Sequence, residues 1–457
     1  MLFEYKASQF ARHRQRFSPH DALENLSPKT VTAILADLKV SFRNRVFTPT
    51  VTLFALLSQV LGDDGSCRSA VMDVITMRKR GKKKACCLNS GSFSKAKARL
   101  PRELLRRLAR GMGEQAAATL KIGTADPLPK WPGRVFVVDG TGVSLSDTPA
   151  NREAYPRHVK KSGFPIARVV ALFSLATGLI VDIAAGPSKG KGTGELTLLR
   201  QLWHNLQAGD TLLGDGLFSA YAVLAVALLR DCHVVAELPS RSHGRLDKRL
   251  VDQIITVKKP KTQPATLTTE EFKALPDDMK LRVVKITCAP NGFRPKTKYI
   301  LTTHLDARLL AATDIAELYG VRWQAELHLR SIKTVLGMDI LTSRTPEMAL
   351  KEVWAYVLGY NLIRTAMLAA AEKRGRSPLL LSFRAAQQVL RANRQAAGVL
   401  TDEEVCDLIA TQTVGERPGR FEPRALKRRK KNFALLSQSR AAAKRRLHKK
   451  SKDSPRA

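Results

Sequence analysis

The sequence predicts an α/β protein: a mixed sheet that carries the chemistry, a β-rich subdomain inserted into it, and helical regions on both flanks. Three observations point there. Between residues 131 and 238, short apolar runs follow one another and then alternate with amphipathic segments. Residues 239–306 hold further strand-like runs separated by Pro-, Gly- and Lys-rich turns. Residues 1–130 and 343–420 have apolar side chains at three- and four-residue spacing, the helical period.

The chain has 457 residues, enough for roughly two to four domains and a sizeable core. It is 44% hydrophobic and 26% charged, ordinary for a soluble globular protein. The charge balance is not ordinary: 77 Lys and Arg against 40 Asp and Glu give a net +37. Such a surplus calls for a polyanionic partner, most commonly nucleic acid, although ribosomal or anionic-membrane association would give the same balance. The six cysteines, Cys67, Cys86, Cys87, Cys232, Cys288 and Cys406, show no C-x-x-C spacing, which suits a reducing cytoplasm. The first residues lack the apolar core of a signal peptide. Residues 353–371 are apolar but interrupted by Asn361 and Arg364, and read as a buried helix, not a membrane span.

In the N-terminal region, SPKTVTAILADLKVSF and TPTVTLFALLSQVLG read as helices. The loop MRKRGKKKACC gathers Arg78, Lys79, Arg80, Lys82, Lys83 and Lys84; it is a solvated basic loop or, between flanking helices, a phosphate-contacting arm. Helices near Ser94 and Pro101 follow, and residues 1–130 are expected to bind DNA. The core begins with the apolar run 134–138, ending at Asp139-Gly140. ARVVALFSLATGLIVDIAA supplies two strands about the Ala176-Thr177-Gly178 turn, and ELTLLRQLWHNL a helix. DTLLGD is a strand ending at Asp215, followed by a helix near SAYAVLAVALLR and the strand HVVAEL. Three strands, then helix, strand, helix, strand is the element order of a ribonuclease H-like fold, in which the ends of the first and fourth strands lie side by side. The core is expected over 131–342, with 239–306 inserted. Thr345-Pro346 opens a long helix, Thr401 with Glu404 forms a capping box, and residues 421–457 form a Lys/Arg-rich tail expected to be disordered when free.

One stretch stands out. Residues 314–337 read as a single helix, with Asp314 as N-cap, Glu317 as its capping partner and Gly337 as the stop. Leu318, Val321, Ala325, Leu329, Ile332 and Leu336 form its apolar stripe. Beside them Tyr319, Arg322, Glu326 and Lys333 fall within a stripe roughly 60° wide. By itself this is most simply a solvated face with an Arg322–Glu326 pair. A lone Asp-Gly is likewise most simply a turn.

The order Tyr-x2-Arg-x3-Glu-x6-Lys, with Asp139 and Asp215 upstream, resembles the signature of bacterial DDE-type insertion-sequence transposases, the insertion sequence four family. RNRVFTPTVTLFALLSQVL, DGTGVSLSDTPANREAYP, GFPIARVVALFSLATG and MDILTSRTPEMALKEV also look like blocks of that family. The resemblance makes Glu326 the third catalytic carboxylate beside Asp139 and Asp215. Three carboxylates at the mouth of a sheet suit two divalent cations about 3.5–4 Å apart, Mg²⁺ or, with the same oxygen donors, Mn²⁺. Arg322 and Lys333 would hold phosphates, and Tyr319 would hydrogen-bond a phosphate or support a base; Arg330 and Trp323 flank the stripe, Trp323 either as a stacking surface for an unpaired base or packed under the insertion. Two positions depart from the family pattern: Gly216 follows Asp215 where a larger, often basic residue is usual, and Ala236-Glu237 stand where an Arg or polar residue is expected.

The resemblance implies a cut-and-paste transposase that binds terminal inverted repeats and target DNA as double strands, dimerises on them, and works in the bacterial cytoplasm at the nucleoid, with no membrane partner. A nuclease or resolvase of the same fold would cut without joining; a non-catalytic DNA-binding protein would do neither.

Overall fold

The strand that starts the sheet is longer than its apolar run suggests. In a computed structural model of the chain, which describes residues 26–62, 64–119, 131–157, 163–190, 192–288, 296–395, 399–414, 441–442 and 445, β1 (Val135–Ser144) passes through Asp139 and continues to Ser144. It continues because β2 (Ile166–Ser174) pairs antiparallel along it, from Phe136↔Ser174 to Ser144↔Ile166. A turn with Gly178 at φ +69°, a conformation that glycine tolerates best, leads to β3 (Ile180–Pro187). On the other side of β1 lies β4 (Thr211–Gly214), parallel, and then β5 (His233–Glu237), parallel again. The first and fourth strands are therefore neighbours.

The strands of the expected insertion are β6 (Asp252–Lys258), β7 (Asp278–Cys288) and β8 (Lys296–Thr302). They extend the same sheet: β8 pairs antiparallel with β5, and the eight strands run β3-β2-β1-β4-β5-β8-β7-β6.

The N-terminal helices are α1 (Pro28–Asp37), α2 (Pro49–Leu61), α3 (Cys67–Arg80), α4 (Gly91–Arg99) and α5 (Arg102–Thr119). Ser27 and Thr48 cap the first two through the N–H groups of Thr30 and Val51, with Pro at the first helical position. Two boundaries differ from expectation. Arg78, Lys79 and Arg80 belong to the last turn of α3, where cations face the negative end of the helix dipole, and α4 starts at Gly91. In the core come α6 (Pro149–Ala154), α7 (Glu195–Arg200), α8 (Tyr221–Leu229) and α9 (Thr269–Ala274); α10 (Ala312–Val321), α11 (Gln324–Arg330), α12 (Pro346–Lys373), α13 (Phe383–Gln395) and α14 (Asp402–Thr411) follow. Thr345 caps α12 and the Thr401–Glu404 box caps α14. The stretches 1–25 and 415–440, and nearly all of 441–457 with the basic tail, lie outside the described residues.

Alternation along the strands divides the sheet into two faces. Phe136, Val138, Leu212, Val234, Ala236 and Leu301 lie beneath α7 and α8, against Leu198, Leu199, Val223 and Leu224. Val135, Val137, Leu213, Val235 and Ile300 lie beneath α10, against Ile315, Leu318 and Val321. A third apolar cluster joins Leu53 of α2 and Leu104 and Leu108 of α5 to Val353 and Leu358 of α12 and to Phe173 and Ile180 of the sheet. Asn361, fully buried in α12, stitches that cluster: its Oδ1 accepts the Ile180 N–H (2.9 Å) and its Nδ2 donates to Ile180 O (2.9 Å) and Ala109 O (3.2 Å). The polar residue interrupting the apolar stretch is thus satisfied inside the protein. Among the described residues no helix is long and apolar enough to cross a membrane.

The stretch 314–337 is not one helix. α10 begins at Ala312, and Asp314 sits in its first turn, its carboxylate accepting the Ala311 N–H (2.8 Å). The chain then tightens at Arg322-Trp323, where Ala325 N and Glu326 N donate three residues back. After α11 it widens into a π-helical turn, Ser331–Val335, with Leu336 N donating to Ser331 O (3.1 Å). Gly337, at φ +89°, ends it as expected. The apolar stripe is buried throughout, but it changes partners: Leu318, Val321 and Ala325 pack on the sheet, and Leu329, Ile332 and Leu336 enter the α12 cluster.

Candidate active site

Pairing registers align Val137 with Leu213, and Leu213 with Val235. Two residues beyond this apolar row, on the same face by strand alternation, stand Asp139, Asp215 and Glu237. Three neighbouring parallel strands thus each carry one acid on this face, Asp139 within β1, Asp215 just past β4 and Glu237 at the end of β5, under the segment that carries Tyr319, Arg322 and Glu326.

The two aspartates are held alike. Asp139 Oδ1 accepts the Gly140 N–H (2.8 Å), and Asp215 Oδ1 accepts the Leu217 N–H (2.9 Å) as cap of a 3₁₀ turn, Gly216–Ser219. Among the described residues, none donates a hydrogen bond to the other oxygen of either aspartate. Burial pushes the Asp139 carboxyl up to about 6; the Gly140 N–H and Arg322 pull it down, and the charges of Asp215 and Glu195 push it further up. Glu195, at the start of α7, is raised by burial and by Asp215, against the pull of Arg168, whose Nε lies 3.6 Å away. Gly140 makes room for it: a Cβ there would stand 2.4 Å from Glu195 Cδ. Gly214 similarly gives its space to Phe218, which would lie 2.7 Å from a Cβ.

Arg322 is the link to the helical segment. Its Nη2 donates to Glu326 Oε1 (3.0 Å), and its ring neighbour is Tyr319, 5.8 Å away. Burial disfavours its charge, but Tyr319, Glu326 and Asp139 outweigh burial and hold its pKa above the ordinary value. The Glu326 side chain is 60% exposed and is not among the groups that shift Asp139. The structure therefore brings Asp139, Asp215 and Arg322 together and leaves Glu326 at the rim, tied to Arg322. Among the described residues no three His, Cys, Asp or Glu side chains are gathered tightly enough to hold a metal ion as they stand.

Tyr319 is buried and donates its hydroxyl to Glu237 Oε2 (2.7 Å), so its proton is held well above the usual phenol range by burial and that bond. Lys333 falls in the π turn and is half-buried; Trp323, half exposed, and Arg330 point outward. In the basic arm Arg78 Nε donates to Lys84 O (2.9 Å), Lys82 takes φ +54°, and Lys79, Arg80, Lys82, Lys83 and Lys84 are exposed.

Sequence reasoning missed Glu195 and Lys298, whose Nζ donates to Glu237 Oε2 (2.6 Å), and read Glu237 only as a departure. An acid opening a helix is usually a capping charge, so nothing set Glu195 apart. Glu237 had a usable signal: apolar residue, spacer, acid recurs as Val137–Asp139, Leu213–Asp215 and Val235–Glu237.

Comparison with known proteins gives the chain's relatives. Residues 130–362, just over half the chain, match the family model described as the transposase DDE domain, and the span contains Asp139, Glu195, Asp215, Glu237 and Glu326. The chain is 29% identical over 270 residues to the transposase InsG for insertion sequence element IS4 of Escherichia coli (strain K12). That match takes in 57% of this chain and 58% of the relative, less than two thirds of its length. A solved piggyBac transposase synaptic complex with hairpin DNA aligns at 13% identity and a TM-score of 0.41, over 89% of this chain and 87% of that one. The family match covers the sheet and both of its aspartates, and on that ground the chain belongs to the transposase DDE domain family.

Proposed function

We propose that the protein is the DNA transposase of a bacterial insertion sequence, which binds terminal inverted repeats, dimerises on them, and performs divalent-metal-dependent cleavage and strand transfer. The observation that carries the reading is the alignment of Asp139 and Asp215 on adjacent parallel strands, with Arg322 reaching them from the segment that holds Glu326. The strand order β3-β2-β1-β4-β5 supports a ribonuclease H-like core over 131–342, extended by 239–306. Residues 1–130, with the basic arm, would grip DNA, and 343–420 would buttress the core.

The donor set fits a hard cation: two aspartates with an oxygen each to spare, whose mutual repulsion a divalent ion would relieve. Asp139 and Asp215 would hold it, completed by Glu326. When bound, Mg²⁺ or Mn²⁺ supplies Lewis-acid polarisation of the phosphodiester and of the attacking hydroxyl. The chain's own residues prepare for it. The Arg322–Glu326 pair has an exposed partner and is worth little, about 0–1 kcal/mol, so an arriving phosphate can take Arg322 by charge-assisted hydrogen bonds. That exchange frees Glu326 to turn toward the aspartates. Lys333 and Arg330 add positive charge along the DNA path, and Trp323 offers a stacking surface.

The test uses a duplex carrying the DNA that flanks the protein's own reading frame, with Mg²⁺. Glu326→Gln should bind the duplex as wild type does and lose cleavage by about a hundredfold or more. Cleavage at wild-type rate would remove Glu326 from the site. Cutting without joining to a second duplex would reduce the protein to a nuclease, and binding alone to a DNA-binding protein.

A further inference from the structure

Resting on that reading, we propose that Glu237 presets a phosphate clamp in which Lys298, from the strands that extend the sheet, and Arg322 are the two cations. The row of acids then divides by task. Asp139 and Asp215 form the metal end, and Glu237, its negative charge balanced by Lys298 and Arg322, forms the phosphate end.

Glu237 Oε2 accepts from Tyr319 Oη (2.7 Å) and from Lys298 Nζ (2.6 Å). Lys298 lies two residues along β8 from Ile300, which faces Glu237 across the ladder, so the pair is a diagonal cross-strand contact on the α10 face. Both cations gather about one ring: Lys298 Nζ is 5.5 Å and Arg322 Cζ 5.8 Å from the Tyr319 centroid. Two cations so placed repel each other unless an anion stands between. Glu237 is that anion: burial opposes its charge, but Lys298, Tyr319 and Arg322 prevail and keep it ionised.

The arrangement is open enough to bind a ligand. The Lys298 side chain is 32% and that of Glu237 33% exposed. An ammonium has three donors, and Glu237 uses one of them. Phosphate oxygens only accept, so they match the spare donors of Lys298 and Arg322. Tyr319, its hydroxyl committed to Glu237, acts as the platform that spaces them. Glu237 is therefore a positioning residue, acting through Lys298 and Tyr319, and its loss should change the geometry of bound DNA more than the affinity.

The experiment takes full-length protein and the same flanking-DNA duplex. Binding is measured over a salt series, and cutting in a single turnover at saturating protein. Lys298→Met should lower the slope of log affinity against log salt by about one, and Lys298→Arg should restore it. Glu237→Gln, with one negative charge fewer near DNA, should bind at least as tightly as wild type yet cut about tenfold more slowly. An unchanged slope in Lys298→Met, or wild-type cutting in Glu237→Gln, overturns the clamp. If wild type itself does not cut, the transposase reading fails while the salt slopes still judge Lys298. If Glu237→Gln does not fold, the variants at the partly exposed Lys298 carry the test.

Discussion

Asp139 is a carboxylate kept where ionisation is costly. Burial and the charges of Asp215 and Glu195 push it to about 6, so near pH 7.5 the folded protein holds a charge its surroundings resist. Asp139→Asn keeps the shape and the acceptor for the Gly140 N–H while removing that charge. We expect it to raise stability in the absence of divalent ions by about 1–2 kcal/mol, discounted for partial exposure, read as a higher urea midpoint. A midpoint at or below wild type would show that the cluster imposes no such strain. Much of this residue-level picture was legible beforehand. Asp139 and Asp215 each follow an apolar run and precede a glycine. Glu195 was not legible, because only tertiary folding brings it, at the start of α7, against Gly140.

At the scale of elements, periodicity located what is buried but not how the chain winds. The stripe from Leu318 to Leu336 is continuous in sequence, yet it is shared between two cores, and the tight turn at Arg322-Trp323 and the π turn at Ser331–Val335 make the transfer. β1 outran its apolar run because pairing with β2, not hydrophobicity, sustains a strand through Asp139-Gly140-Thr141-Gly142. At the opposite end of β4 and β5 from the acids, His304 stacks on His233 (3.6 Å) and contacts Thr211 Oγ1 (3.1 Å). Burial, with the charges of His233 and Arg282, pushes His304 down to about 3 from 6.5. The unfolded chain therefore takes up a proton near pH 6.5 while the folded one does not. The stability this histidine contributes is present above that pH and is lost as pH falls toward 3, by at most about 1.4 kcal/mol per pH unit. Asp139 works in the opposite sense, so the comparison is with His304→Gln. Urea midpoints of wild type should drop more between pH 7 and pH 5 than those of the variant; parallel profiles would show that His304 protonates freely in the folded state.

At the scale of the molecule, the sequence separated a strand-rich middle from helical flanks, and among the described residues the eight strands lie between Val135 and Thr302. It could not show that α2 and α5 share an apolar cluster with α12, or that β8 would join β5, because periodicity marks a buried face without naming what buries it. The +37 charge suits a polyanionic partner for the whole molecule; the acid row is where, within that positive field, a cation would be welcome. The account stands most directly on that cation. Mn²⁺ binding, followed by electron paramagnetic resonance on the full-length protein bound to its flanking-DNA duplex, measures it without reliance on turnover. The account predicts that wild type takes up Mn²⁺ and that Asp139→Asn and Asp215→Asn each lose it. Equal uptake by all three proteins would contradict it.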